Sequence, residues 1–189
     1  MAGPRAQRVV KKTKARGQPI PPLSAKDKAA RGAAVKQAHA ALFSTISPAH
    51  AWTLTFRQTR FNEAGGLAHL NRDLLSKALQ TALKRIDRAV FKRSAKRFGK
   101  KLRRFCTIEG GLGTGQRLHA HLLIECPVQY MTWWEFSKLV RKEWQNSEWG
   151  DWNNKFDPAP DEMATLVYFT KYGADAIDWF NCWPPKESG

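Results

Sequence analysis

The stretch "LHAHLLIE", residues 118–125, alternates strictly between side chains of two kinds. In an extended strand successive side chains point to opposite faces, so Leu118, Ala120, Leu122 and Ile124 form one apolar face while His119 and His121 share the other. Such a strand needs a second layer over its apolar side, and it leaves two imidazoles together on the remaining one. "AWTLTFRQ", 51–58, repeats the pattern: Trp52, Leu54 and Phe56 face one way, Thr53, Thr55 and Arg57 the other.

The rest of the chain supplies what those strands require. From Asn71 to about Phe98, Leu75, Leu79, Leu83, Ile86 and Val90 recur at helical spacing among lysines and arginines, and the pattern stops near Gly99. "RRFCTIEG", 103–110, reads as a second strand, joined by the glycine-rich "GGLGTGQR" to the histidine strand in an antiparallel hairpin. Residues 131–146 carry Trp133, Phe136, Val140 and Trp144 on one helical stripe, and "DWNNKFDPAP" holds a short fourth strand. A last helix starts at Asp161 and Glu162, whose charges suit its N-terminal dipole, and runs to about Gly173. The order β, α, β, β, α, β and a further helix predicts an α+β fold: an antiparallel sheet with split βαβ topology, ferredoxin- or RRM-like, with helices packed on the sheet.

The predicted domain spans 46–189. Ahead of it, residues 1–45 read as a basic, largely disordered arm with at most a short helix near 25–42; between 1 and 40 every charged side chain except Asp27 is basic, and Pro4, Pro19, Pro21 and Pro22 break any helix in the first half. The whole chain sets 32 Lys and Arg against 16 Asp and Glu, a formal charge of +16 that favours a polyanionic partner, nucleic acid first. No run approaches the roughly 20 apolar residues of a membrane span, and the N-terminus lacks a secretory signal, so no membrane partner is expected. Cys106, Cys126 and Cys182 are odd in number and form no CxxC pair, which points away from disulfides and structural zinc and toward a reducing, cytoplasmic compartment.

Two imidazoles plus one carboxylate suit a divalent ion whose other positions stay open to substrate. Two glutamates are candidates for the carboxylate. Glu109 ends the preceding strand, where one residue of register decides its face; Glu125 shares the histidine face but lies two pleats from His121. In "LVYFTKYGAD", Tyr168, Lys171 and Tyr172 stand at i, i+3 and i+4 on one helical face. A tyrosine hydroxyl becomes a nucleophile at neutral pH when a cation stabilises its phenolate, and Lys171 lies one turn away. The densest basic run of the folded part, Lys84, Arg85, Arg88, Lys92, Arg93, Lys96, Arg97, Lys100, Lys101, Arg103 and Arg104, is interrupted only by Asp87 and is the candidate DNA-binding surface. Most of the eight tryptophans are expected in the core; a remainder could serve as stacking platforms for unpaired bases, and none is singled out as a site.

A strand with "TLTF", a later His-hydrophobic-His strand and then Tyr-x-x-Lys, in that order within about residues 51–175, resembles the HUH endonucleases of the rolling-circle replication initiator (Rep) family. The resemblance implies a cytoplasmic enzyme of a bacterial host cell, encoded by a plasmid or small phage, that nicks and rejoins single-stranded or hairpin origin DNA. It implies that His119 and His121 hold Mg²⁺ or Mn²⁺ with Glu109 as the matching acidic ligand. Tyr168 would attack the scissile phosphate to leave a 5′-phosphotyrosine and a free 3′-hydroxyl, with Lys171 as the matching lysine. The spacing to Tyr172 is similar to two-tyrosine initiators, but in those each tyrosine tends to have a lysine three residues on, where Tyr172 has Asp175. Family members often carry a helicase domain; this chain has no G-x-x-x-x-G-K-[ST] loop, so a host helicase and polymerase are the expected partners, or the chain is part of something longer.

Three rival readings remain at this level. A single-strand transposase uses the same chemistry. A nonenzymatic RRM-like nucleic-acid-binding protein accounts for charge and fold without chemistry. A cupin-like metal oxygenase shares the spacing Gly113, His119, His121, Glu125, but has glycine where this chain has Thr132, and no later P-x-G-x-x-H follows.

Overall fold

The structure is a computed structural model that describes residues 24–30, 32–33 and 49–183, apart from 62, 112 and 160. The proposed arm therefore lies mostly outside the described residues. Residues 25–30 and 32–33 are helical, opened by Ser24 and Asp27, whose side chains bond each other at 2.6 Å.

Four strands form one antiparallel sheet: β1 (Ala49–Thr55), β4 (Arg104–Glu109), β5 (His119–Glu125) and β6 (Lys155–Pro158), in the order β4-β5-β1-β6. The fold is α+β, with helices packed against this sheet. The alternation read from the sequence holds. Trp52, Leu54, Phe56, Cys106, Ile108, Ala120, Leu122 and Ile124 face a core completed by α1 (Arg72–Phe91) and α3 (Trp133–Gln145). On the reverse face Leu123, Phe105 and Ala49 meet Leu166 and Phe169 of α4 (Glu162–Phe169) in a second, smaller core.

Local chemistry sets the boundaries. Asn71 caps α1 by accepting from Leu74 N–H, and Thr132 and Glu135 form a reciprocal capping box on α3. The helix expected over 71–98 is broken in two at Lys92, which takes φ 49° and ψ −120°, and α2 (Arg93–Phe98) follows at a new angle of the chain. The reason is visible in the side chains. The apolar stripe of α1 ends at Val90 and Phe91, whereas α2 has no fully buried residue and only Ala95 packs against the core, so the last turn and a half is weakly tied to the rest of the fold.

Three other expectations change. A hairpin, β2 (Thr59–Phe61) and β3 (Leu67–His69), stands between β1 and α1; its strands are three residues each and half exposed, too short to announce themselves by alternation. Trp133 is half exposed, unlike Phe136, Val140 and Trp144, because it sits in the first turn of α3 and leans over the sheet margin toward His50 and Phe156. The final helix ends at Phe169, not near Gly173. The Thr170 hydroxyl donates back to Leu166 O, and Lys171 and Tyr172 lie in the turn that follows.

Candidate active site

Sheet register builds the site. Glu109 is paired directly with His119 on β5, and His119 with Thr55 on β1; in the next row Thr107, His121 and Thr53 stand abreast. Paired residues share a face, so the register left open by the sequence puts Glu109 with both histidines. Its Oε2 lies 3.4 Å from His121 Nε2 and 3.6 Å from His119 Nε2, and one ligand atom from each of the three residues falls within 4.8 Å of the others. Glu125 does not join them. It pairs with Ala49 at the far end of the strand and accepts from Arg103 N–H.

The imidazoles are oriented from behind. His119 Nδ1–H donates to the Arg117 carbonyl at 2.9 Å, which turns Nε2 toward Glu109. Gly110 makes that possible: with φ 85° it lets the Arg117 carbonyl approach so closely that any Cβ at this position would collide with it. His121 Nδ1 is 3.1 Å from the Thr53 hydroxyl, and its ring stacks on Phe169 at 4.7 Å.

Electrostatics pull these groups apart. Burial opposes the Glu109 carboxylate, but hydrogen bonding to His119, His121 and Lys171 outweighs it and holds the carboxyl at about 2. His119 is raised, chiefly by Glu109, while burial keeps His121 below its ordinary value. Burial also lowers Lys171, yet the carboxylate and the Tyr168 hydroxyl more than compensate, and its net shift is upward.

The residues fit a divalent ion. Both Glu109 oxygens and His121 Nε2 are buried without a hydrogen bond of full geometry, Oε2 having only its ion-pair contacts with Lys171 and the imidazoles, so their lone pairs are available to a cation. A donor set of two nitrogens and a carboxylate would leave further coordination positions of such an ion open.

Lys171 and Tyr168 reach the same place from the opposite element. Lys171 Nζ is 3.0 Å from Glu109 Oε2 and 4.0 Å from the centre of the Tyr168 ring. That ring meets His121 edge-on at 5.7 Å and is 55% exposed. Tyr172 is half buried, with Lys171 Nζ 5.1 Å from its ring, and makes no hydrogen bond or ring contact with the triad. A cleft of about 440 Å³ opens beside them, lined by Thr53, Thr55, Arg117, His119, Asn153, Tyr168 and Lys171 among others. The threonines were legible from strand parity; Asn153 and Asp151 come from a distant loop and had no sequence signal.

The basic run is not brought to this cleft. α1 covers the face of the sheet opposite the histidines, so Lys84, Arg85, Arg88, Lys92, Arg93, Lys96, Arg97 and Lys100 form a separate exposed surface. Lys101 is half buried with its ammonium 3.8 Å over the Trp183 ring, and Arg103 is half buried. Arg104 is a correction to the expected surface. It is buried, and its guanidinium contacts both Asp87 oxygens at 2.8 and 2.9 Å and donates to Asn181 O, so it ties the fold together and is not presented at the surface. Asp87, the acid that interrupts the run in sequence, is its buried partner.

Among the described residues no helix is long and apolar enough to cross a membrane. No protein-family model, curated protein or solved structure matches the chain.

Proposed function

We propose that the protein is an HUH-type endonuclease of the rolling-circle initiator kind, nicking and joining single-stranded DNA through a 5′-phosphotyrosine. The observation that carries this reading is the approach of Tyr168 and Lys171 to the Glu109–His119–His121 cluster. A phenol, an ammonium and a set of metal-ligating atoms meet at one open cleft, which is what transesterification of a phosphodiester needs. The strand order β4-β5-β1-β6, with helical crossovers between β1 and β4 and between β5 and β6, supports the split βαβ topology of that family.

Glu109, His119 and His121 would hold Mg²⁺ or Mn²⁺. Bound there, such an ion would supply Lewis-acid polarisation of the scissile phosphate. The chain's own groups do the rest. Tyr168 Oη bonds to phosphorus and loses its proton; the bond from phosphorus to the 3′ oxygen breaks, and that oxygen gains a proton. Lys171 offsets the charge on the phenolate, and Glu109 keeps Lys171 protonated and aimed. Thr53 and the Arg117 carbonyl fix the imidazole rings so that little reorganisation is required. Since the phosphodiester energy is conserved in the tyrosyl ester, the same site can reseal the strand. Tyr172 makes no hydrogen bond or ring contact with the triad, unlike Tyr168, and is assigned no first-cleavage role. The exposed basic face of α1 and α2 would bind flanking DNA, host helicase and polymerase would extend the 3′ end, and the setting would be a bacterial cytoplasm.

The test is formation of a protein–DNA adduct that survives denaturation, with Mn²⁺ and a panel of single-stranded origin oligonucleotides. Wild type should form it and Tyr168→Phe should not. Equal adduct in both would reassign the nucleophile, and no adduct from either would remove the nicking reading.

A further inference from the structure

We propose that Trp152 is a stacking platform for an unpaired base of the DNA strand entering the active-site cleft. The inference rests on the single-strand reading above and adds to it a binding residue outside the family's motifs. Trp152 is 74% exposed, an unusual setting for the largest apolar side chain. Trp133, Trp134 and Trp183 each lie against another ring or a lysine, whereas the Trp152 indole has no ring or cation contact with any described residue.

Its backbone, by contrast, is tied down on both sides. Asp151 N–H donates to Thr55 O, Thr55 N–H donates to the Asn154 side chain, and the Thr55 hydroxyl donates to Asn153 O at 2.7 Å. Within the loop Asn154 Nδ2 donates to Asp151 O, and Trp152 N–H to the Asp151 carboxylate. The anchor for all this is the end of β1, and Thr55 is also the sheet neighbour of His119. The loop therefore holds the Trp152 backbone at a fixed place between Asp151 and Asn153, both of which line the cleft together with His119, Tyr168 and Lys171. A backbone already held in place leaves only the two side-chain torsions of the indole to be ordered on binding.

The occupant follows from the surroundings. Arg117 and Lys171 line the same cleft, and Lys155, paired with Thr53, projects from the histidine face beyond it. Cations that track a phosphate chain beside an exposed ring are the composition of a single-strand groove, and a ring can stack only on a base already out of a duplex. An unpaired nucleobase next to the scissile phosphate satisfies both features.

The experiment measures binding by the full chain in EDTA, where no cleavage intrudes. The probes are fluorescein-labelled oligothymidylate of about 15 nucleotides, within the site sizes of single-strand binders, and an abasic chain of equal length. Trp152→Ala should bind oligothymidylate roughly ten-fold or more weakly, bind the abasic chain as wild type does, and keep the same slope of affinity against salt, because stacking releases no counterions. Trp152→Phe should retain most of the affinity. Unchanged oligothymidylate binding by Trp152→Ala, or an equal loss on both probes, overturns the platform. Wild type giving no Tyr168-dependent adduct while Trp152→Ala still loses base-dependent binding would remove the nicking reading and keep the platform; a normal adduct with flat Trp152→Ala binding would do the reverse.

Discussion

Glu109→Gln separates the metal-site reading from an ordinary buried ion pair. The substitution preserves shape and removes one charge from a buried side chain. In the folded protein the carboxyl stands at about 2 rather than 4.5, a depression stabilising the fold by about 3 kcal/mol at neutral pH, or about 2 kcal/mol once water reaching the cluster through the cleft is allowed for. Because the folded value is the lower one, this stability is fully present above about pH 4.5 and is lost as pH falls toward about 2. For a chain of this size the variant should melt roughly 4–8 °C below wild type at pH 7, with the gap closing on acidification. Mn²⁺ at about a hundred times its dissociation constant should add about 2.7 kcal/mol to wild type, seen as a rise of roughly 5–11 °C, and nothing to the variant. Thermal melts followed by circular dichroism, with and without Mn²⁺ across that pH range, read both effects. An equal Mn²⁺ rise in the variant would refute the ligand assignment, and a gap that stays constant with pH would refute the electrostatic argument.

Two further substitutions probe the framework. Asp87→Ala leaves the Arg104 guanidinium buried without its carboxylate and should cost about 3–5 kcal/mol in urea unfolding; a change near zero would mean that Arg104 is solvated after all. Gly110→Ala forces the Arg117 carbonyl off His119 Nδ1 and should weaken Mn²⁺ binding by roughly 10–100-fold in calorimetric titration, with wild-type affinity as the contrary result.

Much of this protein was determined by local sequence. Alternation in 118–125 and 51–58 decided which side chains enter the core, since a strand has only two faces and burying the apolar one outweighs any other use of it. The long amphipathic stripe fixed α1, and Thr132 with Glu135 fixed the start of α3, because caps and periodicity act within a few residues. The chemical types at the site, two histidines, a tyrosine and a lysine, were equally plain. Only the tertiary structure decided what needs long-range pairing. Which carboxylate joins the histidines depended on a register between β4 and β5, where a slip of one residue would have turned Glu109 to the opposite face. That Asp87 and Arg104 are one buried pair, and that the basic helix stands behind the sheet while the Trp152 loop stands in front of it, follow from layer packing, to which residues far apart in the chain contribute and which no local pattern records.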